Sequence, residues 1–258
     1  MTSDEAQNWI RPFGPAGTAD DSVPRLVCLP HAGGSASFYR PLAEALGERV
    51  PTLGVQYPGR QDRYREPVIS DLRELAGEVF TALRTLKPGP VALFGHSMGA
   101  VVGYEVALLM RRAGLPGPVR LFASGRRAPS RYRFENVWRR DDAGIGAELR
   151  RLAGTHAELL ADPEVVELVL PAVRGDYRAI ENYRHDPAER LGCPLSVLTG
   201  DADPMVSADE AEDWRGHTEG PFSVRTFTGA HFYLLDHIAS IAGAVEADLA
   251  ADRVAGAV

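Results

Sequence analysis

Short apolar runs alternate with helix-like stretches along most of this chain, and that rhythm constrains its fold more than any other feature. The runs are RLVCL at 25–29, VPTLGVQY at 50–57, VALF at 91–94, VRLFA at 119–123, LSVLT at 195–199 and SVRTF at 223–227. Runs this short and this continuously apolar suit strands buried on both faces. After the second run, Ser70 reads as a helix N-cap, and Leu72, Leu75, Val79, Leu83 and Leu86 recur at helical spacing until Pro88. Met98 to Arg112 reads as a helix ending at Gly114, a residue suited to the C′ position. Strand, helix and strand in repetition predict an α/β protein: a mostly parallel central sheet with helices on both faces.

The rhythm breaks once. About seventy residues separate the runs at 119–123 and 195–199, where a single crossover helix needs far fewer. Asp141 and Asp142 precede Ile145, Leu149 and Leu152 at helical spacing. Thr155 and Glu158 are placed as a capping box. Asp162-Pro163 forms an N-cap and N1 pair, followed by Val165, Val166, Val169, Leu170, Val173, Tyr177 and Ile180. The expectation is a helical insertion over 128–190 on a core made of 23–127 and 191–258. Beyond it, Ser207 and Glu210 form a second capping box, and a closing helix covers most of 232–251. Residues 1–22 are expected to run along the surface, with Trp9 and Phe13 as anchors.

Composition narrows the function classes. With 45% hydrophobic residues and 258 positions, the chain can bury a large core in one or two domains. A net charge of −7 argues against general nucleic-acid binding, which needs a basic face. Cys28 and Cys193 lie far apart in apolar surroundings and read as buried small hydrophobes, neither a disulfide nor a metal clip. The opening MTSDEAQNWI lacks a basic and then apolar leader, and no apolar run approaches the ~18 residues of a membrane span. A soluble, cytoplasmic protein without a membrane contact is expected, as a monomer.

Gly95-His96-Ser97-Met98-Gly99 fits G-x-S-x-G. The pattern is short, but a buried strand directly before it and a helix directly after it sharpen it. There the serine sits on a tight strand-to-helix turn, its hydroxyl lifted out of the sheet and the Met98 amide at the helix entrance. The alternative is an ordinary helix cap. A nucleophilic serine needs a base, and the base needs an orienter. Of seven histidines, His31 and His96 precede the serine, His156 and His185 lie in the insertion, His217 falls in a polar stretch and His237 inside the closing helix. His231 follows the last strand through Thr228-Gly229-Ala230, where a base should project. The acid should leave the strand before it, in Gly200-Asp201-Ala202-Asp203-Pro204. Asp201 and Asp203 share parity, so alternation does not separate them, although Asp201 is better placed to bond nearby backbone amides. The loop Pro30-His31-Ala32-Gly33-Gly34 is similar in kind to the oxyanion loops of esterases, with the Ala32 amide as second donor beside Met98.

RLVCLPHAGGSASFYRPLAEAL, VQYPGRQDR, LFGHSMGA, LTGDADPMVS and FTGAHFYL together span residues 25 to about 235. In these stretches the chain resembles the α/β-hydrolase family, and more narrowly the stand-alone type II thioesterases of polyketide and non-ribosomal peptide synthases. The resemblance implies an α/β-hydrolase fold with a helical lid, an acid at Asp203, and no metal or cofactor. It implies hydrolysis of acyl thioesters on the phosphopantetheine arm of carrier proteins. Because such carriers are acidic, a local positive face is expected in Arg126, Arg127, Arg131, Arg133, Arg139 and Arg140, with Arg131 and Arg133 as carrier-docking candidates. Three rivals stand beside this reading: a carboxylesterase or lipase acting on oxygen esters, a chain-terminating thioesterase excised from a synthase, and a non-catalytic carrier-binding module. The Met1 start argues against the second, and a complete serine, acid and histidine set against the third.

Overall fold

Each apolar run becomes a strand whose alternate side chains enter different cores. The computed structural model describes residues 8–14, 22–153 and 163–256. Strands β1 (Ile10–Phe13), β2 (Arg25–Leu29), β3 (Thr52–Val55), β4 (Val91–His96), β5 (Leu121–Ser124), β6 (Leu195–Gly200) and β7 (Phe222–Phe227) form one sheet, in the order β1-β3-β2-β4-β5-β6-β7. All neighbours run parallel except β1 with β3. Helices α1 (Arg40–Leu46), α2 (Leu72–Leu83), α3 (Met98–Arg112) and α7 (Ile238–Gly256) flank it. Leu26, Cys28, Ala92 and Phe94 pack with Leu42 and Leu46 of α1 and Val245 and Leu249 of α7. Val27, Leu29 and Leu93 instead pack with Leu72, Leu75 and Val79 of α2 and Val101 and Val102 of α3. Burial on both faces is why the strands read as continuous apolar runs instead of alternating ones. Cys28 and Cys193 are both free and buried.

The sheet order places the site. β2 lies between β3 and β4, so the chain reverses direction across the sheet at β2. The loops leaving the carboxyl ends of β2 and β4 therefore face each other across a crevice, the usual place for a ligand in open α/β sheets. Between β5 and β6 the chain forms α4 (Asp142–Ala153) and α5 (Pro163–Asn182). Val137, Ile145, Leu170, Val173 and Tyr177 give these elements a small core of their own. A short helix, α6 (Ala208–Glu212), begins at the expected capping box: Ser207 Oγ accepts from the Glu210 amide and Glu210 returns the bond.

Several expectations need correction. Residues 10–13 do not merely lie on the surface: β1 pairs with β3 from Ile10 opposite Val55 to Phe13 opposite Thr52, and Trp9 and Ile10 are buried. Four residues interrupted by Pro12 carry too little alternation to announce a strand, and the partner lies some forty residues away. Asp71, not Ser70, caps α2, accepting from the amides of Arg73 and Glu74. His237 precedes α7 and bonds Thr228 through Nε2. The Thr155–Glu158 capping box, His156 and Asp162 lie outside the described residues. Among those described, no helix is long and apolar enough to cross a membrane.

His217, in a stretch that reads as polar, is buried. It is 5% exposed, packs on Tyr104 and Trp214, and meets Ser130 Oγ at 2.9 Å. Burial, His185 and Arg190 push its pKa down to about 4. Since the unfolded chain protonates near 6.5, folding carries a proton penalty that is absent above about pH 6.5 and grows as pH falls to about 4. We expect urea-unfolding free energy to drop by up to about 1.4 kcal/mol per pH unit from His217 alone between pH 6.5 and 5, above the range where carboxylates titrate. His31 and His96 are also buried and held below the ordinary histidine value, so they add to the slope, and His217→Gln should reduce it without abolishing it; an unchanged slope in this variant would contradict the assignment.

Candidate active site

The elbow after β4 is built by two close approaches. Ser97 has φ 54° and ψ −117°, a strained conformation for a residue with a Cβ, and makes no side-chain cap bond to α3. An ordinary N-cap serine has extended backbone and accepts from the first turn, so the helix-cap alternative does not describe Ser97. Its amide donates to the Ser124 carbonyl at 2.8 Å, tying the turn to β5. A Cβ at Gly95 would overlap the Gly99 carbonyl, and one at Gly99 would overlap the Leu29 carbonyl. Only glycine allows β4, the start of α3 and the end of β2 to meet this closely.

Two more loops converge on the same edge. His231 Nδ1 lies 2.9 Å from Asp203 Oδ2 and 3.0 Å from Oδ1. A carboxylate only accepts, so Nδ1 is the donor, and in the neutral ring Nε2 is the nitrogen with the lone pair. Asp203 Oδ1 also accepts from the Met205 amide at 2.8 Å, which fixes the carboxylate plane. Both residues are buried, Asp203 8% exposed and His231 1%. Asp201 is exposed and holds the Gly229 amide at 2.9 Å, bracing the loop that carries His231. The structure thus separates the two aspartates that parity left unresolved: only Asp203 meets the imidazole.

Ser97 and His231 share the wall of one cavity of about 550 Å³. Ala32, Phe38, Val173, Tyr177 and Phe232 also line it, as do Leu149 and Leu152 of α4. Met98 is the first residue of α3 and its amide has no intrahelical acceptor. In the β2 loop, the Gly34 amide closes a turn onto the His31 carbonyl and the Gly33 amide donates to Asp176. Among the described residues, nothing accepts from the amides of Ala32 or Met98.

Two further imidazoles surround His231. His96 Nδ1 meets Ser124 Oγ at 3.0 Å and its ring centre lies 5.0 Å from that of His231. His31 packs edge-on against Phe38 and Phe232. Burial, and then His231 itself, drive His96 well below the ordinary histidine pKa and His31 down to about 3. Both stay neutral, so a positive charge arising on His231 does not face a second cation.

Four of the arginines grouped at 126–140 are matched to carboxylates. Arg131 is paired with Asp213, Arg133 with Glu210 at 2.5 Å, Arg127 with Glu135 at 2.8 Å and Arg140 with Glu148 at 3.2 Å. A cation already matched to a carboxylate projects little net field toward an acidic partner. Arg131 and Arg133 instead tie the segment after β5 to the region of α6. The site residues that sequence reasoning missed are Arg60 and Asp176, a buried pair beneath the β2 loop. The available signal was a carboxylate on the apolar stripe Leu170, Val173, Tyr177 and Ile180.

The model of one protein family, Thioesterase domain, matches residues 24–249. The chain belongs to that family. This thioesterase is 48% identical over 254 residues to a probable cadicidin biosynthesis thioesterase of Streptomyces griseus, covering 98% of this chain and 69% of the relative. It is 48% identical over 229 residues to thioesterase PikA5 of Streptomyces venezuelae, covering 88% of this chain and 80% of the relative. Its fold superposes on the type II thioesterase BorB of the borrelidin biosynthetic cluster with a TM-score of 0.87 at 50% identity, over 93% of this chain and 97% of that one. The resemblance to type II thioesterases and the mostly parallel α/β-hydrolase architecture both hold.

Proposed function

We propose that this thioesterase hydrolyses acyl thioesters carried on the phosphopantetheine arm of carrier proteins, and so clears stalled or wrong acyl groups from a modular synthase. The reading rests on one observation above the others: a histidine hydrogen-bonded to a buried carboxylate lines the same apolar cavity as a serine on a strained turn. In the reaction, His231 Nε2 takes the Ser97 proton as Oγ attacks the thioester carbonyl. The amides of Met98 and Ala32 receive the oxyanion. The C–S bond then breaks and the thiol leaves with the proton from His231. Water, deprotonated by His231, attacks the acyl-enzyme; the ester C–O bond breaks, His231 returns the proton to Ser97 Oγ, and the acid is released. Asp203 holds the imidazole in the required tautomer and stabilises its charged form. A thiol with a pKa near ~8.5 leaves readily, so the thioester demands less acid catalysis than an ester of an alcohol.

The apolar wall from Phe232, Leu149, Leu152, Val173 and Tyr177 suits an acyl chain. We read residues 128–190, which contribute α4 and α5 to that wall, as a lid on the hydrolase core. Relatives named for cadicidin and borrelidin biosynthesis support a synthase as the setting. The test is a panel of acyl-carrier proteins set against matched oxygen esters. We expect kcat/KM at least tenfold higher for the carrier thioesters. Faster hydrolysis of the oxygen esters would turn the reading into that of a carboxylesterase.

A further inference from the structure

Arg60 and Asp176 lie 116 positions apart and meet beneath the β2 loop. Their side chains are 4% and 1% exposed. The contact is a fork: Arg60 Nη1 donates to Asp176 Oδ2 at 2.6 Å and Nη2 to Oδ1 at 3.0 Å. Removing two charges from water is costly, and an apolar pair of similar volume would serve packing as well. The pair does something that an apolar pair would not. Asp176 Oδ2 accepts from the Gly33 amide at 2.8 Å, and Arg60 Nη1 donates to the Gly34 carbonyl at 3.2 Å. Both polar groups at the centre of the loop are therefore held from below. Gly33 has φ +76°, and a Cβ there would stand 2.5 Å from Val173 Cγ2, one turn before Asp176 on α5. The loop is seated directly on that helix. Gln56 extends the same scaffold, accepting from the Ala36 amide at 2.9 Å and donating to the Arg60 carbonyl at 3.2 Å.

The consequence concerns which amide faces the cavity. Of the three consecutive amides at 32–34, that of Gly33 is drawn onto Asp176 and that of Gly34 onto the His31 carbonyl, while that of Ala32 is uncommitted among the described residues. We propose that Asp176, held by Arg60, is a positioning residue that draws the Gly33 amide down onto α5 and so aims the Ala32 amide at the oxyanion. This inference rests on the acyl-transfer reading above. It makes α5 part of the transition-state apparatus as well as a wall of the acyl pocket.

The test uses Asp176→Asn and the double variant Arg60→Met/Asp176→Leu. The double variant removes both charges together and should lose less of its thermal midpoint than a variant that leaves one charge buried alone. An oxyanion donor displaced by about an ångström costs on the order of 10²-fold. We expect the double variant to lose about 10–100-fold in kcat for an acyl-pantetheine thioester, with KM within about twofold, and Asp176→Asn, which keeps one acceptor oxygen, to lose less. Affinity for butylboronic acid, whose tetrahedral serine adduct mimics the oxyanion, should weaken in parallel with kcat. A folded double variant with parental kcat and boronate affinity overturns the proposal. Should the variants fail to fold, amide hydrogen exchange in the parent protein decides: boronate should protect the Ala32 amide and leave that of Gly33 unchanged. New protection at Gly33 overturns it. Ser97→Ala on the same substrate separates the two claims. If that variant still turns over, the acyl-transfer reading itself fails; if it is inactive while the double variant is fast, only the role of Asp176 falls.

Discussion

Ser97→Ala should abolish thioester turnover, by three or more orders of magnitude, while the protein stays folded. The side chain makes no cap bond, so its loss removes no contact on which α3 depends. Alanine has the same Cβ as serine and inherits the positive φ at no further strain. What disappears is the oxygen that takes the acyl group in the proposed mechanism. His231→Ala should lose a comparable amount, and the double variant should be scarcely worse than either single one, because nucleophile and base act as a unit. Steady-state turnover of an acyl-pantetheine thioester, with circular dichroism as the check on folding, reads all three. Retained turnover in Ser97→Ala would place the chemistry on another group and remove Ser97 as the nucleophile.

Asp203→Asn should cost about 10⁴-fold in kcat, whereas Asp201→Asn should cost only a few-fold. Asp203 offers both oxygens to His231 Nδ1. An amide in its place presents an N–H₂ toward the ring, drives the proton to Nε2 and removes the lone pair that must accept from Ser97. Asp201 accepts through one oxygen from the Gly229 amide, a bond that asparagine can also make. The two residues are separated by a single alanine and have the same charge, so the comparison isolates geometry. The reverse ranking of the two variants would move the acid to position 201.

The central strands and the elbow were legible because they are local. VALF followed by G-H-S-M-G and a helix states its own geometry within a dozen residues. His231 was legible by elimination, because the sequence pattern put His237 inside the closing helix and left His231 in the loop after the last strand. Asp203 was not separable from Asp201 by pattern, because both point the same way along an extended chain, and the loop that bends one inward carries no periodicity. The N-terminal strand escaped notice for a different reason. It has four residues, one of them proline, and is defined by pairing with β3 and not by its own composition. Arg60 and Asp176 represent the limit of local reasoning: each looks like an ordinary charged residue until the fold brings them together. The arginines near 126–140 were legible as a cluster, but Asp213 and Glu210, the partners of Arg131 and Arg133, lie more than seventy positions downstream.

Gly99 stands against the Leu29 carbonyl, the last residue of β2 before the loop that carries Ala32. The two segments that grip the reacting carbonyl in the proposed mechanism therefore share one backbone joint, with no side chain between them to absorb a shift. Anyone assembling chimeras from related enzymes should treat 29–34 and 95–99 as a single cassette, since transplanting one without the other would leave the joint mismatched even where every catalytic side chain is present.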